Sequence, residues 1–400
     1  MFAEVMAEEL APSDAFGGGA GLAPGTAGGA AAGGLADAWD DAEGYYTARV
    51  GEVLDGRYEV FATHGRGVFS TVLRARCGGG EGEVALKVIR ANETMAKAAQ
   101  QEMVILKKLA DTDPEGRRHC VRLLRAFTHR GHTVLVFESL AHSLRQVLRK
   151  YGRGVGLSLR AVQAYGAQLL VALKHLRNCG VLHADIKPDN VLVTARANVL
   201  KLADFGSAMF DGGNAITPYL ASRFYRAPEV ILGLPYSHPL DMWALGCVLF
   251  ELATGSMAFP GRSNSEMLAL HLAVKGPFPK KMVRRAAFAP RHFDAEGTFG
   301  LLEADPLTGR EVRRLVREVG PTRDLLRELE GVGRDGSVGE RRRVAHLADL
   351  LQAMWVLDPQ HRITVAQALS HPFIKEPESG GLRGLEPGPA AMRAVAGGDE

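Results

Sequence analysis

His183-Ala184-Asp185-Ile186-Lys187-Pro188-Asp189-Asn190, followed by Asp204-Phe205-Gly206, is the stretch that decides how this chain is read. Any one Asp in such a run is more often a turn or capping residue. The combination, in this order and spacing, is hard to obtain by chance. Transfer of a phosphoryl group needs a carboxylate that orients and deprotonates the attacking hydroxyl. It also needs oxygen ligands that hold a magnesium ion across the β- and γ-phosphates. Asp185 suits the first task; Asn190 and Asp204 suit the second as ligands for Mg2+. Lys187, two residues past the base, can neutralise charge on the transferred group.

Upstream, His64-Gly65-Arg66-Gly67-Val68-Phe69-Ser70-Thr71-Val72 sits between two strand-prone runs. Glycines there let the backbone approach phosphate oxygens and offer N–H donors. Taken alone, a Gly-x-Gly turn is more often a tight hairpin, and Ser70 stands where a third glycine is usual. Val84-Ala85-Leu86-Lys87 on the next expected strand raises its weight. A lysine flanked by apolar neighbours needs an anionic partner, and Glu102 on the helix that follows can supply it. Downstream come Ala227-Pro228-Glu229 and then Asp241-Met242-Trp243 at the start of a helix. Glu229 is expected to form a buried ion pair with Arg362; the plain alternative is two unrelated surface charges.

Around these motifs, runs at 58–62, 71–76 and 83–89 read as an antiparallel meander with Gly-rich turns. Residues 96–109 show helical periodicity, and two more strands are expected at 121–128 and 133–137. Beyond residue 143 apolar residues recur at helical spacing over 159–178, 239–254, 265–274, 344–357 and 365–370. The expectation is an α+β protein in which a small sheet-rich lobe precedes a larger helical one. Residues 1–38 hold a Gly/Ala-rich arm too poor in apolar side chains to order. Residues 39–57 are expected as an extended segment, 58–373 as the folded domain and 374–400 as a flexible tail.

At 400 residues with 46% hydrophobic and 23% charged residues, the chain can bury a large core. Its formal net charge of +3 argues against binding nucleic acid or an anionic membrane through charge as a whole. No basic stripe interleaved with aromatics supports RNA binding. Cys77, Cys120, Cys179 and Cys247 lie far apart, which fits neither a disulfide framework nor a zinc site and points to a reducing compartment. The acidic start MFAEVMAEEL lacks the features of a signal peptide, and the longest apolar run, 242–250, is too short to span a bilayer. Arg341-Arg342-Arg343 reads as a solvated helix face rather than a targeting signal.

Residues 58–373 resemble a eukaryotic protein kinase domain of bilobal fold, with an antiparallel sheet and one helix in its N-lobe. SRFYR before Ala227 and the long insert between Gly261 and Arg343 are similar to those of the CMGC group. DAEGYY (41–46), GEVLDGRYEV (51–60), GRGVFS (65–70), HADIKPDN (183–190), ITPYLASRFYRAPE (216–229) and the insert segment 280–293 further resemble the pre-mRNA-processing-factor kinases of the spliceosome. In that family the same Ser replaces the third Gly and the same Ala replaces the Arg of His-Arg-Asp.

The resemblance implies a monomeric serine/threonine kinase that uses ATP and Mg2+, acts on splicing factors and resides in the nucleus. Residues 64–72 would cover the phosphates, and Lys87 held by Glu102 would contact the α- and β-phosphates. Ala85 and Leu192 would line the nucleotide site. Phe137 would sit behind the adenine, with Glu138 to Leu140 as the hinge. Arg226 would favour proline after the acceptor. Phosphorylation of Tyr219, gripped by Arg223 and Arg226, would set the active conformation, with Thr217 as a competing site. Dual-specificity and Clk-type relatives remain the alternative within the fold. A non-catalytic scaffold is disfavoured by the presence of Lys87, Asp185 and Asp204.

Overall fold

Alternating burial along strand-forming residues builds a six-stranded antiparallel sheet. Its strands are β1 (Val53–Leu54), β2 (Tyr58–Arg66), β3 (Ser70–Cys77), β4 (Glu83–Ile89), β5 (Leu123–His129) and β6 (His132–Glu138), in the order β1-β2-β3-β4-β6-β5. Val60, Leu73, Ala75, Leu86, Val88 and Val134 meet on one face with Tyr58 and Tyr46, forming a core from side chains that alternate along each strand. The computed structural model describes residues 39–375 apart from 42, 81, 213–214, 305–307, 309, 317–319 and 333–335. The expected Gly/Ala-rich arm and residues 376–400 lie outside them. The described residues divide into two compact units, 39–100 with 123–139 and 101–122 with 140–375. The chain passes from the first to the second within helix α1 (Glu93–Asp111).

The sheet departs from expectation at two places. Regular structure starts at Val53 rather than Tyr58, because Leu54 is fully buried and β1 pairs with β2. The upstream segment thus contributes core residues, including Tyr46 at 3% exposure, in addition to its extended stretch. Strand β2 runs four residues beyond 62, with register shifts at Val60/Ala62 and Thr63/Gly65, the second delivering the chain into the Gly-rich turn.

In the second unit, α2 (Leu159–Asn178) starts at Ser158, whose hydroxyl accepts the Ala161 amide. Helix α3 (Pro239–Thr254) has Pro in its first turn and ends at Gly255, φ 75°. A Cβ there would come 2.8 Å from the Gly154 carbonyl carbon, so only glycine fits the close approach. Every residue from Leu240 to Ala253 is buried, so α3 is a core helix buried on all sides and apolar but for Asp241 and Glu251 near its ends. Around it stand α4 (Asn264–Lys275) and α5 (Val338–Met354), with Trp243, Phe259 and His271 in mutual ring contact and Trp355 against Phe259 and Trp243. Helix α5 begins six residues before the expected 344. Ser337 caps it, and its first two turns, rich in Arg, carry no apolar signal.

Short strands frame the motif stretch. β7 (His142–Ser143), β9 (Val191–Val193) and β10 (Leu200–Leu202) form one sheet, while β8 (Val181–Leu182) pairs with β11 (Met209–Phe210). Hairpin β12 (Gly300–Ala304) and β13 (Glu311–Leu315), inside the insert, was not expected from sequence; β13 is exposed at every position and so lacks an inward-outward alternation. Residues 374–375, placed in the tail by sequence, end a last helical turn, Pro372–Lys375. The four cysteines are buried and form no disulfide among the described residues, and no helix among the described residues is long and apolar enough to cross a membrane.

Candidate active site

Residues 183–190 leave β8 and re-enter β9, and each turn of this loop is tied to a buried group. Asp241, in the first turn of α3 and 3% exposed, accepts the amides of His183 at 2.8 Å and Ala184 at 2.9 Å. Burial pushes its carboxyl above the ordinary value, while His183 and the two amides pull the other way. His183 is fully buried and reaches the Ala203 carbonyl through Nε2 at 3.0 Å. A carbonyl can only accept, so Nε2 carries the proton and Nδ1 accepts the Asp185 amide at 3.2 Å. Ala184 sits at φ 63°, a conformation that an L-residue holds only when its surroundings impose it. The strained residue turns the chain so that Asp185 faces outward from this scaffold.

The Asp185 carboxylate takes donors on both oxygens. Oδ1 accepts the Ser222 amide at 3.0 Å and hydroxyl at 2.6 Å. Oδ2 accepts Lys187 Nζ at 2.8 Å and Asn190 Nδ2 at 3.0 Å. Lys187 Nζ also donates to Ser222 Oγ at 2.9 Å, closing the ring. Burial works to raise the carboxyl, but the Lys187 charge with the Lys187 and Ser222 bonds outweighs it, leaving the group below the ordinary carboxylate value. Asn190 is held by its amide group, and among the described residues its Oδ1 accepts no bond. Asp204 follows at φ 59°, with Phe205 fully buried and edge-on to the His183 ring at 5.0 Å. An amide oxygen and a carboxylate are the hard oxygen donors that Mg2+ takes together with phosphate oxygens and water.

Two further charge clusters brace this loop. Arg145 donates to Asp189 at 3.1 Å, to the Tyr225 hydroxyl at 2.8 Å and to Glu251, and Tyr225 donates to Glu251 at 2.6 Å. The expected pair of Glu229 and Arg362 is present as a bidentate fork, 2.6 and 2.8 Å, with both side chains at most 1% exposed. Sequence reading named Glu229 and Arg362 but missed Arg145, Ser222, Tyr225 and Glu251. A signal for Glu251 was there: an acid inside a largely apolar helix needs a buried partner.

The segment from Thr217 to Arg226 changes one expectation. Arg226 is 6% exposed, and its guanidinium donates to the carbonyls of Tyr219 at 3.2 Å, Leu220 at 2.9 Å and Ala221 at 2.8 Å, and to Asn264 Oδ1 at 2.6 Å. Its donors are engaged by the segment's own backbone, so it does not stand open to grip a phosphate on Tyr219. Burial, with Arg223 nearby, lowers its pKa to about 10. Arg223 is exposed, and Tyr219 is 46% exposed. Ala221, at φ 66°, turns its carbonyl to Arg226.

In the first unit, Gly67 closes the β2–β3 turn by donating to the Ser70 carbonyl at 2.9 Å. His64, Gly65, Arg66, Gly67 and Val68 are exposed, whereas Ser70 and Thr71 are buried. Thr71 and Val72 pair in register with Val88 and Lys87. On β4 and β6, Ala85 stands opposite Phe137 and Lys87 opposite Leu135, so the sheet brings Ala85, Lys87, Phe137 and Glu138 onto neighbouring strands. Lys87 is 9% exposed. Glu102 on α1 is 3% exposed and belongs, with Leu140 and Leu192, to the second unit.

Against known proteins, residues 58–374 match the family model described as "Protein kinase domain". The chain is 45% identical over 340 residues to the serine/threonine-protein kinase prp4 of Schizosaccharomyces pombe, covering 85% of this chain and 71% of that one. It is 41% identical over 346 residues to the serine/threonine-protein kinase prpf4B of Dictyostelium discoideum, covering 85% and 42%. The dual specificity tyrosine-phosphorylation-regulated kinase 3 of Mus musculus is 33% identical over 347 residues, covering 84% and 57%. The chain thus spans less than half of the Dictyostelium relative.

Proposed function

The chain belongs to the protein kinase domain family, and from that membership we propose that it is a serine/threonine kinase of the CMGC group, transferring the γ-phosphoryl of Mg-ATP to protein hydroxyls. The observation that carries this reading is the Asp185 carboxylate, ionised and fixed from both sides by Lys187, Asn190 and Ser222. An acceptor hydroxyl donates to this carboxylate, which orients it and takes its proton as the new P–O bond forms and the bond to the departing ADP oxygen breaks. The Lys187 ammonium, 2.8 Å from the same carboxylate, stands where it offsets charge on the transferred group. Asn190 and Asp204 would hold the magnesium ion, which would supply charge neutralisation on the phosphates.

Residues 64–72 cover the phosphates in this proposal. Lys87 contacts the α- and β-phosphates, Ala85 and Phe137 line the base, and the chain from Glu138 offers it backbone bonds. The substrates are splicing factors and the working place is the nucleus, a reading supported by the resemblance to pre-mRNA-processing-factor kinases. The protein acts as a monomer, without direct nucleic-acid contact.

The geometry at Ala221 supports proline after the acceptor. A peptide running along this segment finds the Ala221 carbonyl already bonded to Arg226. Most residues would leave a backbone N–H without that acceptor, whereas proline has no N–H to lose. Phosphorylation of Tyr219 orders the segment through Arg223, with Arg226 holding the backbone instead of the phosphate. The test is transfer from γ-labelled ATP to a degenerate peptide array. Label on serine and threonine, enriched where proline follows, is expected. Label spread evenly over the next residue removes the proline claim, and no label on any hydroxyl removes the kinase assignment.

A further inference from the structure

The residues just upstream of the sheet reach the Gly-rich turn. Tyr45, 7% exposed, donates its hydroxyl to the Val68 carbonyl at 2.7 Å. The Arg66 guanidinium lies 3.7 Å over the Tyr45 ring, and that of Arg90 lies 4.9 Å from it. Arg66 also pairs with Asp41 at 2.7 Å and Glu43 at 2.8 Å. Three side chains of one short segment thus converge on two residues of the loop.

The same segment is anchored independently of that loop. Asp41 closes a turn by accepting the amides of Glu43 at 2.9 Å and Tyr45 at 3.0 Å. The Gly44 carbonyl accepts the Ala91 amide at 2.8 Å, and Arg90 donates to the Glu43 carbonyl. Tyr46 sits in the sheet core and donates to Glu52 at 2.7 Å, which Arg130 also grips at 2.7 Å. Gly44 has φ 79°, and a Cβ there would meet the Ala91 carbonyl oxygen at 3.3 Å. This backbone geometry favours glycine, which lets the segment lie flat on the chain after β4.

We propose that Asp41, Glu43 and Tyr45 form a strap that holds the Gly-rich turn in its nucleotide-covering conformation, with Tyr45 as the principal positioning residue. The proposal rests on the reading that residues 64–72 cover the phosphates. A loop with two glycines loses conformational freedom when it closes on a ligand, and a strap that restricts it beforehand reduces that loss. An exposed ion pair alone adds little. Here the pairs act together with a stacked ring and a hydrogen bond on one short stretch.

Two readouts on the full chain test this, comparing wild type with the double variant Glu43→Gln, Tyr45→Phe, which preserves side-chain volume. They are hydrogen exchange of the amides in 64–72 and affinity for a non-hydrolysable ATP analogue. The strap predicts faster exchange in that stretch, about three- to tenfold weaker nucleotide binding with a matching rise in KM for ATP, and kcat within about twofold. Tyr45→Phe alone keeps the ring under Arg66 and falls in between. Unchanged exchange overturns the strap; faster exchange with unchanged affinity overturns its role in nucleotide binding. Gly67→Asp, which places a carboxylate in the loop, tests the underlying reading separately. If that variant binds nucleotide normally, the covering role of the loop is what fails.

Discussion

Burial alone would raise the pKa of the Asp185 carboxyl, since removal from water favours the neutral form. Lys187 and Ser222 reverse that sign. The acid limb of the pH–rate profile set by this group therefore lies below the ordinary carboxylate pKa. Removing either helper by Lys187→Met or Ser222→Ala leaves burial less opposed, so the limb moves to higher pH, besides any loss of rate. A kcat/KM profile whose limb stays in place in both variants would contradict the assignment. His271 is the opposite case. It is fully buried with neither ring nitrogen partnered among the described residues, and burial, aided by Arg362, lowers its pKa from 6.5 to about 3. The unfolded chain binds that proton first, so stability falls as pH drops below 6.5, by about 2 kcal/mol between pH 6.5 and 5 from this residue. His271→Phe keeps a ring between Trp243 and Phe259 and removes this loss. Denaturant midpoints at the two pH values, compared with wild type, show a smaller acid shift in the variant; an equal shift would exclude His271 as its source.

The elements most legible in the sequence are those whose burial repeats with a clean period. Helices α2 and α3 and strand β4 match their expected bounds residue for residue, because caps, prolines and terminal glycines coincide with the apolar pattern. The β12–β13 hairpin and the first turns of α5 were illegible for the converse reason, since exposed Arg-rich stretches carry no period. The braces between elements were half legible. Glu229 and Arg362 announce themselves through neighbouring motifs, whereas Arg145, Tyr225 and Glu251 meet only when the chain has folded. Both braces are testable. Arg362→Met leaves Glu229 buried and uncompensated, and should cost about 3–5 kcal/mol in a urea titration. A loss under about 1 kcal/mol would show that the pair is not what secures the turn after Ala227. Arg145→Met frees Asp189 and Tyr225 while leaving the Asp185 ring of bonds in place. A several-fold fall in kcat is expected with little change in KM for ATP, and an unaltered kcat would limit Arg145 to packing.

For the molecule, the motifs supplied the expectation of phosphoryl transfer, because an ordered set of Asp, Asn and Lys states roles that geometry then has to satisfy. Geometry added what no motif carries: Ser222 at the Asp185 carboxylate, the Tyr45 hydroxyl on the Val68 carbonyl of the Gly-rich turn, and an Arg226 engaged by backbone carbonyls where a phosphate grip was expected. The central claim is that Asp185 acts on the acceptor hydroxyl and hardly on the nucleotide. Asp185→Asn separates these two functions, since the amide keeps the shape of the side chain and loses its charge. The most direct measurement is phosphate incorporation into a serine substrate together with ATP affinity on the same preparation. The account predicts nucleotide affinity within about threefold of wild type and a loss of transfer of about a thousandfold or more. Transfer at the wild-type rate in Asp185→Asn would contradict it.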